Sequence, residues 1–95
     1  MTDDAVFRVV RRRAQPGCGP AYEALIRGMF DDARRFPGYL SAELIPPAAD
    51  GGEYQILQRF ATVDDLERWN DSPERLAWLE RLDTVAAGDP DYRLL

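Results

Sequence analysis

The sequence contains no histidine, no lysine, one cysteine and one asparagine. Without histidine, the chain has no imidazole to serve as a general base or as a ligand for a metal or a haem iron. Without lysine it cannot form a Schiff base, and it has no glycine-rich phosphate loop. The single cysteine, Cys18, cannot form a disulfide within the chain, and without a nearby histidine we interpret it as an exposed thiol. These absences exclude histidine-based catalysis and lysine-based covalent catalysis.

The sequence also lacks a long hydrophobic run. No apolar segment approaches about 18 residues, and the N-terminus has no signal-peptide core, so we expect a soluble, cytoplasmic protein without a membrane partner. The net charge of −5 disfavours nucleic acid as a partner. A chain of 95 residues predicts one domain, residues 1–95. Because so small a domain buries a modest share of its surface, a core shared with a second copy would stabilise it.

Periodic patterns predict the order strand, helix, strand, strand, helix pair and short strand. Alternating residues predict strands over 5–13, 39–45 and 53–60. Between the first two strands, apolar residues recur at helical spacing until Pro37 and Gly38 end the helix. That apolar face consists of Tyr22, Leu25, Ile26, Met29, Phe30, Ala33 and Phe36.

Two consecutive helix starts follow the third strand. Thr62 can cap the first helix, and Asp65, three positions later, can complete a variant of the capping box. Ser72 is a cap candidate for the second helix, where Pro73 suits the first helical position. We therefore predict two short helices joined by a tight corner.

This order of elements predicts an α+β, ferredoxin-like fold, β-α-β-β-α-α-β, whose antiparallel sheet has helices on one face only. The first strand is apolar on both sides, and the least costly cover for its second side is the same face of another copy. We therefore predict a homodimer with its sheets packed face to face. The C-terminal segment 88–95 starts with the pattern-breaking residues 88–90, and residues 91–95 form either a short last strand or an arm that reaches a neighbour.

Several short phrases between about Val6 and Leu82 resemble the antibiotic biosynthesis monooxygenase superfamily. The most specific is W-x-x-S-P-E-R-x-x-W-L at residues 69–79, which is similar to a bacterial branch of largely unassigned function. The resemblance implies a dimeric α+β barrel and oxygenation of an electron-rich aromatic, such as a polyketide anthrone or phenol, by dioxygen without metal, flavin or other cofactor. The other phrases are Gln15-Pro16-Gly17, Arg35-Phe36-Pro37-Gly38-Tyr39-Leu40, Gln58-Arg59-Phe60, Leu66-Glu67-Arg68-Trp69 and Trp78-Leu79.

The chain departs from the characterised branches in two respects. The haem-degrading branch is similar in carrying a tryptophan, for which Trp69 is the nearest match, but it also needs a histidine ligand and an asparagine on the first strand. This chain has neither, so haem is not an expected partner. The anthrone-oxidising members use asparagine, tryptophan, tyrosine and arginine in their pocket, and of these Trp69 carries over.

We expect the substrate pocket between the helices and the sheet, with Trp69, Asn70 and Arg59 as catalytic candidates. Trp69 could stack on an aromatic ring, and Asn70 could hold a phenolate or a carbonyl. Arg59 could lower the pKa of a substrate phenol by stabilising its anion, which reacts more readily with dioxygen. The substrate-binding candidates are Tyr39, Tyr54, Trp78, Tyr22 and Phe30.

Structural roles compete with each of these interpretations. The tryptophans could fill the core or an interface, Asn70 could close the helix corner, and Arg59 could form an interface salt bridge. The pocket could also catalyse cyclisation, isomerisation or decarboxylation, because one fold hosts many reactions. A non-catalytic, dimeric ligand-binding module remains a third possibility, and the dependence of turnover on dioxygen separates the first two.

Overall fold

The computed structural model describes residues 5–95, which form seven elements in the predicted order. The four strands make one antiparallel sheet in the order β2-β3-β1-β4, so the predicted ferredoxin-like α+β fold is confirmed. The elements are β1 (Val6–Ala14), α1 (Gly19–Ala33), β2 (Tyr39–Ile45), β3 (Glu53–Phe60), α2 (Val63–Asn70), α3 (Pro73–Asp83) and β4 (Ala86–Leu94).

The starts of α2 and α3 follow the predicted capping residues. The Thr62 hydroxyl accepts a hydrogen bond from the Asp65 backbone N–H at 3.1 Å. The Ser72 hydroxyl accepts one from the Arg75 backbone N–H at 3.2 Å, and Pro73 is the first residue of α3. Because each cap satisfies a backbone donor that has no partner inside the helix, the two starts are fixed locally.

Helix α1 ends earlier than predicted. Its last residue is Ala33, and the backbone N–H groups of Arg35 and Phe36 bond to the carbonyls of Asp32 and Ala33, each three residues earlier. This tighter turn carries the chain to Gly38, whose φ of +82° suits a residue without a side chain. Phe36 still packs against the core, so the apolar pattern extends beyond the helix itself.

Strand β4 is longer than predicted, and the expected break at residues 88–90 is wrong. These residues lie inside β4, where the pairing with β1 shifts register between Arg11 and Arg13. A register irregularity of this kind absorbs the positive φ of Gly88, and Pro90 is tolerated because β4 is an edge strand. Residues 91–94 pair with β1, in agreement with the predicted short last strand.

The core lies between the sheet and the helices. On β3, Tyr54, Ile56, Gln58 and Phe60 are buried, whereas the residues between them are half-buried. The period of two places these four on the face that the helices cover. From the helices, the largest buried side chains include Tyr22, Ile26 and Trp69.

The opposite face of the sheet carries a mixed surface. Phe7 is 40% exposed there, and the Arg59 guanidinium lies 5.3 Å from the centre of the Phe7 ring. Phe7 and Arg59 are direct partners across β1 and β3, so they share this face. A second copy packed on this face remains a prediction.

Candidate active site

A cavity of about 30 Å³ lies between β1, α1, α3 and β4. One part of its wall is apolar and the other is polar. The apolar part includes Val10, Ile26, Met29, Ile56, Leu79 and Leu82, and the polar part includes Arg8, Gln58, Arg75 and Tyr92. The predicted location between helices and sheet therefore contains a cavity, although its volume holds about one water-sized group rather than a ring system.

Arg8 forms the centre of the polar part. Alternation along β1 places it on the helix-covered face with Val10, and it is only 8% exposed. Its Nη2 donates to Gln58 Oε1 at 2.7 Å, and its Nη1 donates to Asn70 Oδ1. Because Gln58 is the direct cross-strand partner of Arg8 on β3, the sheet register itself creates the first of these contacts.

Arg75 lies beside Arg8, in the first turn of α3, and is 7% exposed. Its Nη1 donates to the backbone carbonyl of Asn70 at 3.0 Å, and its Nη2 donates to the Tyr92 hydroxyl at 3.2 Å. The Tyr92 ring centre lies 5.4 Å from the Arg8 guanidinium carbon and 5.8 Å from that of Arg75. Tyr92 is 43% exposed, so it forms part of the wall between the cavity and solvent.

The polar end is cationic. Burial first, and then the charge of Arg75, lower the pKa of Arg8 from its ordinary value to about 10, while Tyr92 acts in the opposite direction. Arg8 therefore stays protonated at neutral pH, and Arg75 is likewise a cation. Within residues 5–95, neither guanidinium has a carboxylate within ion-pair distance. All four of their hydrogen-bond acceptors are neutral.

Two buried donors at this end have no acceptor among the described residues. They are Arg8 Nε and Gln58 Nε2. A buried donor without a partner is costly, by roughly 1–3 kcal/mol in proteins. The cavity therefore offers cationic and amide donors to a group that supplies oxygen lone pairs.

The three catalytic candidates lie in different places. Asn70 belongs to the polar end through its contacts with Arg8 and Arg75. Trp69 is 0% exposed and packs edge-on against Phe36, with ring centres 5.0 Å apart, so it belongs to the core beside the site rather than to the cavity wall. Arg59 lies on the opposite face of the sheet. Their catalytic roles stay predictions.

Of the substrate-binding candidates, Tyr22 lines the cavity. Burial raises its pKa to about 12, which keeps the phenol neutral. Its ring centre lies 4.8 Å from that of Tyr54, whose hydroxyl donates to Glu23 Oε2 at 3.0 Å. Tyr54 belongs to a separate surface pocket beside the start of α1.

The remaining candidates pack elsewhere. Tyr39 meets Phe60 edge-on, with ring centres 5.9 Å apart, and Phe30 is buried in the core. Trp78 Nε1 donates to Asp32 Oδ2 at 2.6 Å, and its ring covers Gly28, where an added Cβ would lie 2.4 Å from the ring. These contacts give all three a packing role, and their part in substrate binding stays a prediction.

Arg8, Gln58, Arg75 and Tyr92 were not predicted as site residues from the sequence. Two signals point to the arginines. Arg8 stands between Val6 and Val10 on one face of a strand, where an apolar residue is the norm. Arg75 places a cation in the first turn of α3, where the helix dipole favours an anion. Gln58 and Tyr92 have no comparable signal, because their placement depends on strand pairing.

Residues 5–95 contain neither a metal-ligand cluster nor a membrane-spanning helix. Among these residues, no three His, Cys, Asp or Glu side chains converge into a cluster that could hold a metal ion. Over the same range, no helix is both long and apolar enough to cross a membrane. The predicted cytoplasmic location stays a prediction.

Comparison with solved structures shows many chains of the same fold. SnoaB, a cofactor-independent oxygenase from Streptomyces nogalater, has 19% identity and a TM-score of 0.84, over 97% of this chain and 91% of that chain. Rv0793 from Mycobacterium tuberculosis has 24% identity and a TM-score of 0.83, over 96% and 92%. PA3566 from Pseudomonas aeruginosa has 17% identity and a TM-score of 0.82, over 100% and 95%. At these identities the likeness establishes the fold alone.

A comparison with curated proteins found no match. The family model described as antibiotic biosynthesis monooxygenase, in contrast, matches residues 5–81, which include β1 with Arg8, the corner at Asn70 and the first turn of α3 with Arg75. The match therefore extends over most of the chain and most of the polar end of the cavity. On this evidence the chain belongs to the antibiotic biosynthesis monooxygenase family.

Proposed function

We propose that this protein is a cofactor-independent monooxygenase that oxidises an electron-rich aromatic, such as an anthrone or a phenol, in the cavity between β1, α1, α3 and β4. The observation that carries the proposal is the buried pair Arg8 and Arg75 at one end of a cavity whose remaining wall is mostly apolar. The membership of the family and the fold shared with SnoaB, a cofactor-independent oxygenase, support it.

The chemistry needs an anion and a protected pocket. A substrate methylene or phenol loses a proton, and the resulting carbanion or phenolate gives electrons to dioxygen and forms a carbon–oxygen bond. Protonation of the peroxide and loss of water then convert a methylene into a carbonyl, so one oxygen atom stays in the product and the other leaves as water. The protein's contribution is to stabilise the anion, and two fixed guanidinium groups suit that role.

Each residue of the polar end has a distinct role in this proposal. Arg8 and Arg75 stabilise the negative charge that develops on the substrate oxygen. Asn70 acts as a positioning residue, because its side chain holds Arg8 and its backbone carbonyl holds Arg75. Tyr22 closes the far wall and stays neutral, since its raised pKa of about 12 keeps it protonated.

Admission of a ring system requires movement at the wall. The cavity of about 30 Å³ accepts the oxygen-bearing end of a substrate, whereas the rings need several hundred Å³. Tyr92 is the residue whose movement would provide that room, because it is partly exposed and lies on an edge strand. In this proposal the substrate rings replace the Tyr92 ring over the two guanidinium groups.

Oxygen uptake with dithranol, a dihydroxyanthrone, tests the proposal. Protein that has been treated with a metal chelator and contains no flavin is expected to consume dioxygen with dithranol. Arg75→Gln is expected to reduce the rate of oxygen uptake by about tenfold or more. Uptake equal to the uncatalysed background would overturn the monooxygenase assignment. Turnover that persists without dioxygen would instead favour a cyclase, an isomerase or a decarboxylase.

We also propose that the protein works as a homodimer through the open face of its sheet. Phe7 supports this because a large aromatic residue is 40% exposed on that face. Leu57 and Arg59 line a shallow groove beside it. A second copy would remove this surface from water and leave the cavity on the other side of the sheet unobstructed.

A further inference from the structure

We infer that the substrate carries a carboxylate in addition to the oxygen that ionises, and that Arg8 and Arg75 together bind these two anionic groups. This inference rests on the proposed function, because it assigns a substrate class to the same cavity. Unlike the proposed monooxygenase function, it can be tested by ligand binding alone, without any turnover.

The charge of the cavity is unusual for this chain. The protein has 17 acidic and 12 basic residues and a net charge of −5, so carboxylates are abundant. Nevertheless, within residues 5–95 none of them reaches Arg8 or Arg75. Arg8 and Arg75 are each more than nine-tenths buried as whole residues. Two buried cations without a counter-ion are strongly unfavourable, unless a ligand supplies the negative charge.

Arg12 provides an internal comparison. It lies on the same face of β1 as Arg8 and also lines the cavity, but its Nη2 lies 2.9 Å from Asp83 Oδ1. Its Nε also donates to the carbonyl of Gly88 at 3.1 Å. Residues 5–95 therefore supply a carboxylate to the arginine at one end of the cavity and only neutral acceptors to the pair at the other end. One ionised substrate oxygen balances a single charge of that pair, and a second anionic group balances the other.

The free donors show where that second group would bind. Arg8 Nε and Gln58 Nε2 are buried without an acceptor among the described residues, and both residues line the cavity. A carboxylate has two oxygens and about four lone pairs, so it can accept from a guanidinium and an amide together. Charge-assisted bonds of this kind are shorter and stronger than those between neutral groups.

The size of the cavity favours a carboxylate over a phosphate. A volume of about 30 Å³ holds about one water-sized group, such as one oxygen of a small planar anion at the end of a larger molecule. A carboxylate is planar and matches the fork of a guanidinium, whereas a phosphate is tetrahedral and bulkier. An aromatic acid would therefore place its carboxylate among these donors and its ring toward Tyr92.

Binding of meta-hydroxybenzoate, with meta-hydroxybenzamide as its uncharged analogue, tests the inference. Both are titrated into the full-length protein by calorimetry at pH 7 without measuring turnover. The acid is expected to bind with a Kd at least about tenfold lower than the amide, because a charge-assisted hydrogen bond replaces a neutral one. Arg75→Gln is expected to weaken binding of the acid by about tenfold or more and to leave the amide nearly unchanged.

Matched variants separate charge from folding. Arg68→Gln removes one positive charge from an exposed position on α2 that pairs with Asp65, and it is expected to change the Kd of the acid by less than about twofold. Arg75→Lys keeps the positive charge but lacks the planar guanidinium group. It is therefore expected to bind the acid more tightly than Arg75→Gln and less tightly than the wild type. Circular dichroism and the thermal midpoint confirm that each variant is folded.

The outcomes distinguish the two proposals. Equal binding of acid and amide, no saturable binding of the acid, or equal losses in Arg68→Gln and Arg75→Gln would overturn the carboxylate inference. Tight, arginine-dependent binding of the acid, without oxygen uptake on dithranol or on an anthrone that carries a carboxylate, would support the carboxylate site and overturn the monooxygenase proposal. Oxygen uptake on dithranol, with equal binding of the acid and the amide, would support the monooxygenase proposal and overturn the carboxylate inference.

Discussion

Arg8 donates a hydrogen bond to the side-chain oxygen of Asn70, a residue 62 positions later in the chain. The contact ties the first strand to the corner between α2 and α3. The backbone carbonyl of the same asparagine accepts from Arg75, so Asn70 holds both guanidinium groups of the cavity. The only asparagine in the sequence therefore accepts hydrogen bonds from both cations.

Substitution of Asn70 by aspartate is expected to stabilise the fold and to weaken the binding of anions in the cavity. Asn70→Asp places a carboxylate of nearly the same shape between two buried cations, so the hydrogen bond to Arg8 becomes charge-assisted. We expect the free energy of unfolding at pH 7 to rise by about 1–2 kcal/mol and arginine-dependent binding of anions to fall by about tenfold or more. Urea unfolding and calorimetric titration measure the two effects.

The pH dependence of the added stability of Asn70→Asp tests whether the new charge causes it. Two neighbouring cations lower the pKa of the new carboxyl below its unfolded value of about 3.9. The added stability is therefore present above that value and is lost as the pH falls through the folded pKa. Asn70→Ala removes the acceptor without adding charge and is expected to destabilise the protein. A lower stability of Asn70→Asp than of the wild type at pH 7 would contradict the charge argument.

The fold could be predicted because its signals are local. Alternation on the strands, the helical repeat from Tyr22, and the caps at Thr62 and Ser72 each depend on residues within a few positions of one another. The last strand was predicted too short because Gly88 and Pro90 normally end regular structure. Whether a register shift accommodates them depends on the pairing with β1, which lies far away in sequence.

The site could be predicted only in part. Asn70 was singled out because it is the sole asparagine and follows Trp69 at a helix corner. Its partner Arg8, and Tyr92 beside Arg8, come from strands at opposite ends of the chain, and only the sheet order brings them together. An arginine among strand valines looks like a rim residue until the residues that surround it in space are known.

Trp69 requires a substitution that keeps the core intact. Because its ring is fully buried, Trp69→Ala is expected to lower the free energy of unfolding by about 3–5 kcal/mol, and a loss of activity in that variant could reflect unfolding alone. Trp69→Phe keeps an aromatic ring against Phe36. The catalytic prediction for Trp69 requires oxygen uptake with dithranol to fall by about tenfold in Trp69→Phe while the thermal midpoint shows a folded protein. Unchanged uptake in this variant would remove Trp69 from the mechanism.

The stability of the protein at high pH is expected to depend on Tyr22. Burial raises its pKa from 10.0 to about 12 in the folded state, so the neutral phenol stabilises the fold below pH 10. As the pH rises from 10 toward 12, the unfolded chain loses the phenol proton first, and this contribution disappears. Tyr22→Phe has no proton to lose, so its stability relative to the wild type is expected to rise over that interval, by at most about 1.4 kcal/mol per pH unit.

Urea unfolding of wild type and Tyr22→Phe at pH 9 and pH 11 measures this difference. Arg8 is the main complication, because its lowered pKa of about 10 relieves a buried charge over the same interval and so increases stability with pH. Both proteins contain Arg8, so its effect cancels in the comparison. A constant difference between the two proteins at both pH values would show that Tyr22 is not protonated preferentially in the folded state.

The homodimer is expected to depend on Phe7. This ring is partly exposed on the open face of the sheet, and Arg59 packs beside it. Phe7→Asp removes an apolar ring from the proposed interface and replaces it with a carboxylate. Dimerisation would then have to strip water from this charge in both copies, which is unfavourable. Light scattering coupled to size exclusion is expected to give a dimer for the wild type at micromolar concentration and a monomer for Phe7→Asp.

Leu76→Asp is the matched control for this experiment. Leu76 is about as exposed as Phe7 but lies on α3, among the helices that cover the other face of the sheet. The same hydrophobic-to-acidic change there is expected to leave the dimer intact, because α3 lies outside the proposed interface. If the wild type were monomeric at this concentration, or if Leu76→Asp alone disrupted the dimer, the open sheet face would not be the interface. In the first case Phe7 would be a solvent-exposed residue, and in the second the two copies would meet through their helices.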